Sequence, residues 1–128
     1  MRRFARADET VRISLREFDG SDDWVEVRAA LSYRDSIELR AMAVSGAIQT
    51  PDGVQLQIDT GRAQLELLCR AIVGWSLRAS EHDPAPLPVT RELIERLDPA
   101  LGDWLAQRID QLYQAARPNS QPGSSPGP

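Results

Sequence analysis

The fifteen residues from Ala63 to Leu77 constrain this chain more than any other stretch. Leu65, Leu68, Cys69, Ile72 and Trp75 recur at helical spacing and define one apolar stripe. Leu67, Ala71, Val73 and Leu77 widen it nearly all the way round, leaving a polar strip at Arg62, Glu66 and Arg70. Glu66 stands four residues ahead of Arg70, the favourable order for an ion pair along a helix. The pattern predicts a helix over 63–77 that the rest of the chain covers on several sides. Each large apolar side chain fully withdrawn from water contributes about 1.5–3 kcal/mol, so such a helix supplies much of a core. None of its residues forms a set that carries chemistry.

A chain of 128 residues suits one domain around such a helix. Residues 1–9, with Arg2, Arg3 and Arg6, read as a flexible N-terminal arm, and 10–116 as a single globular domain. Residues 117–128 are rich in Pro, Gly and Ser, offer no large apolar side chain, and read as a disordered tail. The single Cys69 excludes an internal disulfide and reads as a core thiol. No apolar run approaches the roughly 20 residues that span a bilayer, and the first residues lack the apolar region of a secretory signal. The expectation is a cytoplasmic protein with no membrane partner. A net charge of −4 argues against nucleic acid, which is held through phosphate neutralisation.

Val11, Ile13 and Leu15 alternate with Arg12, Ser14 and Arg16, the period of a half-buried strand. A turn cluster at Asp19–Asp23 separates them from Trp24–Arg28, and the two segments predict an antiparallel β-hairpin. Ser32 caps a helix expected from Tyr33 to Ser45, with Gly46 ending it and Tyr33, Ile37, Val44 and Ile48 facing the core. Leu39 and Met42 fall on a second face, which either packs on the hairpin or meets a partner. Thr50–Gly53 has turn chemistry, and Val54–Ile58 is either a short strand or an extended linker.

Asp59 or Thr60 caps the central helix, which a proline-stiffened connection over Glu81–Pro88 follows. Thr90 caps a short helix with Leu93, Ile94 and Leu97 inward. Asp98-Pro99 starts a last helix to about Ala116, with a stripe of Leu101, Trp104, Leu105, Ile109, Leu112 and Tyr113. Arg108 falls inside that stripe. Either its stem packs while its head reaches water, or it is held for an acidic group on a partner. The predicted fold is α+β: an N-terminal antiparallel β-hairpin packed on a bundle of about four helices.

The one histidine, His82, lies between Glu81 and Asp83, but adjacent residues rarely converge on one metal ion. A triad from Ser76 or Ser80 with His82 and Asp83 lacks the strained nucleophile turn and an oxyanion hole. There is no Gly-rich phosphate loop. The residues predict a binder rather than an enzyme, with no catalytic, cofactor-binding or metal-ligating position. Leu39, Met42 and Arg108 are the candidate partner-binding residues, because the core stripe of their own helix does not explain them.

Three stretches in order carry a resemblance. They are Trp24–Arg28 leading through Leu31-Ser32-Tyr33-Arg34 into a helix, then Leu65–Leu77, then Pro86-Leu87-Pro88-Val89-Thr90 through Leu97-Asp98-Pro99. Together, over roughly Asp22 to Tyr113, they resemble the tail assembly chaperones of long-tailed bacteriophages and prophages. The departure is Gly74, where an acidic or small polar residue is expected. The resemblance implies a non-catalytic protein of the infected or lysogenic host's cytoplasm, with tail tube and/or tape measure protein as partners and no cofactor. A minor tail or neck component of the virion, or a cellular protein–protein adaptor, are the alternatives.

Overall fold

The computed structural model describes residues 3–58, 60–80 and 82–115. Two strands, β1 (Thr10–Ser14) and β2 (Trp24–Arg28), pair antiparallel as the N-terminal hairpin of an α+β fold. Between them a four-residue helix, α1 (Arg16–Asp19), stands where the sequence predicts only a turn, and Gly20 ends it at φ 77°. Leu15, buried at its start, donates its backbone N–H to the Asp23 carbonyl at 2.9 Å and closes the connection.

Four more helices follow among the described residues: α2 (Tyr33–Ala43), α3 (Thr60–Ala71), α4 (Arg91–Glu95) and α5 (Pro99–Ala115). Three caps form as expected. Ser32 Oγ accepts from the Asp35 amide, Thr90 Oγ1 from the Leu93 amide, and Asp98 Oδ2 from the Ala100 amide. Ile94 is buried, as are Leu105 and Ile109 on the stripe of α5.

The central helix is shorter than its sequence predicts. It stops at Ala71, and Ile72–Trp75 form β5, which pairs antiparallel with β2 to make a sheet of order β1-β2-β5. The physical reason lies in the register. Val25 faces Trp75, Glu26 faces Gly74 and Val27 faces Ile72, so Val73 is an extra residue in a bulge and stays 40 % exposed. The bulge leaves Ile72 and Trp75 both buried at a spacing of three, which imitates one face of a helix. Ile, Val and Trp favour strand, Gly disfavours helix, and β2 offers an open edge. Nor is α3 covered on several sides as expected: within it only Leu68 and Ala71 are buried.

A second sheet of two strands, β3 (Val44–Thr50) and β4 (Gly53–Ile58), occupies the stretch between α2 and α3. The short strand at Val54–Ile58 is therefore present, whereas Val44 to Ser45 belong to β3 rather than to a helix that Gly46 ends. The expected core face of α2 is also overturned. Tyr33 is 75 % exposed and Ile37 and Val44 are each 43 % exposed, and no residue of α2 is buried. Asp35, Glu38, Leu39 and Met42 instead form the half-buried face of α2, where Arg70 of α3 reaches both carboxylates, while Tyr33 and Ile37 point outward. The expected cap at Asp59 and the 117–128 tail lie outside the described residues.

The core is the inner face of the three-stranded sheet (Ile13, Leu15, Val25, Val27, Ile72, Trp75) against Leu68, Ala71, Ile94, Leu105, Ala106 and Ile109. Residues 3–9 are tied to it at two points. Arg28 donates to the Ala7 carbonyl at 2.9 Å, and the Ala29 amide to the Glu9 carbonyl at 2.7 Å. No helix of the described residues is long and apolar enough to cross a membrane.

Candidate partner-binding groove

Helix α3 packs on α2 on one side and on α5 on the other. Between them runs an open groove of about 1360 Å³. Alanines make this possible: Ala43, Ala63 and Ala106 line it, one from each helix, and Ala29 and Ala30 line it at the end of β2. Their short side chains leave a furrow where leucines would fill the space. Leu39, Leu67 and Tyr113 supply the larger apolar walls.

The polar groups sort by helix. Asp103 and Asp110 line the groove from α5, while Arg40 of α2 and Arg3 and Arg6 of the arm line it with the opposite sign. Asp103 accepts from Gln64 Nε2 at 2.6 Å, which joins α3 to α5. Tyr113 donates its hydroxyl to the Arg28 carbonyl at 3.1 Å, and burial pushes its pKa up to about 12.

An ionic clamp holds the groove's far wall. Arg70 Nη1 lies 2.7 Å from Asp35 and 2.5 Å from Glu38, and Glu66 approaches Arg70 Nε at 3.9 Å. Hydrogen bonding from Arg70, then from Arg34, holds the Glu38 carboxyl below its ordinary pKa. Arg91 donates to both oxygens of Glu66 at 2.7 Å and brings α4 onto the same assembly. Cys69, beside it, is half-buried, and desolvation raises its thiol pKa, so it remains a neutral thiol at neutral pH.

The structure brings one of the three candidate residues to the groove. Leu39 lines it; Met42, on the same helix, is half-buried and is not among its lining residues. Arg108 lies elsewhere: its Nη1 is 3.3 Å from Glu17, and its guanidinium carbon sits 5.4 Å from the Trp104 ring centroid. Phe18 packs on the other side of that relationship, its ring centroid 5.5 Å from that of Trp104. Arg108 therefore fastens α1 to α5. The groove itself escaped the sequence reading, because its signal is the clustering of six alanines from segments that become neighbours only on folding.

The residues examined for triad chemistry have structural partners. Ser76 Oγ accepts from the Trp24 amide at 2.9 Å and donates to Asp23 Oδ1 at 3.0 Å. His82 is exposed, and among the described residues no group of three or more His, Cys, Asp or Glu side chains is placed to hold a metal ion. No protein-family model, characterised protein or solved structure matches this chain.

Proposed function

We propose that this chain is a non-catalytic assembly chaperone of a long-tailed bacteriophage or prophage, which holds a tail tube and/or tape measure protein in its α2–α3–α5 groove before assembly. The ordered pair of motifs, Ile72-Val73-Gly74-Trp75-Ser76 and Pro86-Leu87-Pro88-Val89-Thr90, carries the reading. The fold gives the pair a shared physical basis. Trp75 Nε1 donates to the Leu87 carbonyl at 2.8 Å, and the Leu87 amide donates to the Leu77 carbonyl at 2.8 Å, so the two motifs form one bonded unit. The groove supports the same reading, since a protein that shields an aggregation-prone apolar segment needs an open apolar furrow of its own.

Co-expression tests this. When this chain is co-expressed with a tail tube or tape measure protein, the partner's soluble yield should rise and the two should co-purify. Leu39→Asp places a charge in the groove and removes the gain while this chain keeps its circular dichroism spectrum. If neither partner co-purifies and the chain is instead found stoichiometrically in finished particles, the virion-component alternative replaces the chaperone.

A further inference from the structure

We infer that the β3–β4 ribbon is a self-association surface, on which two copies of this chain stack ribbon against ribbon across a two-fold axis. Pairing puts Ala47 opposite Leu56, Gln49 opposite Val54 and Val44 opposite Ile58, so Val44, Ala47, Leu56 and Val54 share one face with a single polar side chain, Gln49, at its turn end. Val54 is 63 % exposed, Leu56 57 % and Val44 43 %. The two strands pack mainly on each other. A two-stranded ribbon is marginal alone in water and gains independent stability only against a further layer.

Charge identifies the occupant. The chain is 27 % charged, yet from Val44 to Ile58 the one ionisable residue is Asp52, at the turn. Exposed ribbons are ordinarily guarded by charged side chains along the strands. Here neither strand carries a charged side chain. A partner with charges over this face would bury them unpaired, at a cost of several kcal/mol per ion. A second copy meets the face with the same neutral apolar row, as a self-complementary two-fold contact requires. With the ribbons antiparallel, the two Asp52 turns lie at opposite ends, so their like charges do not meet.

This inference goes beyond the proposed function, and its test needs no tail protein. Sedimentation of the purified full chain should show a concentration-dependent dimer. Leu56→Lys and Leu56→Glu should each sediment as folded monomers, and an equimolar mixture of the two should recover the dimer. Leu39→Asp, in the groove, should leave the dimer unchanged. Hydrogen exchange of the wild type gives a readout free of any folding defect: amides from Ala47 to Leu56 should gain protection as concentration rises. A wild type that is monomeric at every concentration overturns the inference. So does a Leu56→Lys protein that still dimerises, or a dimer whose ribbon amides gain no protection.

Discussion

Glu26 lies directly across the sheet from Gly74, and a Cβ built on that glycine would stand 3.6 Å from Glu26 Cβ and 3.7 Å from Oε2. This relationship limits what position 74 can hold. An acidic residue at position 74 would oppose Glu26 on the same face, and like charges directly across strands are destabilising. Glu26 is already engaged: it accepts from the Thr10 hydroxyl at 2.6 Å and lies 3.7 Å from Arg12 Nε.

Gly74→Ala should therefore fold normally, because 3.6 Å is an ordinary van der Waals separation. Gly74→Asp should lower stability by about 0.2–1 kcal/mol, the scale of a cross-strand pair. Thermal melts of the two variants at low salt check this. Adding Glu26→Gln to Gly74→Asp should recover the loss.

Trp75→Phe keeps a ring in the core and deletes the donor to the Leu87 carbonyl. Loss of that bond should cost about 0.5–1.5 kcal/mol, with a further share from the smaller ring. The checks are urea denaturation and limited proteolysis. Cleavage between Arg78 and Pro86 should quicken, because the variant frees one of the two bonds that fasten the loop.

The Arg70–Glu38 contact gives the joining of α2 to α3 a dependence on acid. The folded carboxyl has a lowered pKa, so its contribution is complete above the ordinary Glu value of about 4.3 and fades as pH falls through the lower folded value. Glu38→Gln should be less stable than wild type at neutral pH. The two should converge in acid, as read from denaturation midpoints at successive pH values.

Tyr113 works in the opposite direction. Its folded pKa is about 12 and its unfolded value about 10, so the native state loses stability as pH rises from about 10 through 12. Tyr113→Phe should remove that alkaline component and cost about 0.5–1.5 kcal/mol at neutral pH for the bond to the Arg28 carbonyl. Ultraviolet absorbance of the phenolate, followed with the denaturation midpoint, checks both.

Where local chemistry decides structure, the sequence was readable. Ser32, Thr90 and Asp98-Pro99 start their helices because a cap acts on amides two or three residues away. The β1–β2 hairpin was readable from alternation. What escaped depends on distant partners. Ile72–Trp75 become a strand because β2 presents an edge, and the half-buried face of α2 meets Arg70, more than thirty positions away. Of the candidate residues, Leu39 reaches the groove because α2 turns as it does, while Arg108 answers to Glu17 and Trp104.

Two helices in this chain pass into strands with no residue between them: α2 ends at Ala43 where β3 begins at Val44, and α3 ends at Ala71 where β5 begins at Ile72. Such joints transmit torque. A helix that rolls about its long axis must swing the strand rigidly fixed to its end. A roll of α2 would thus be carried into the β3–β4 ribbon, and a roll of α3 into the pairing of β5 with β2.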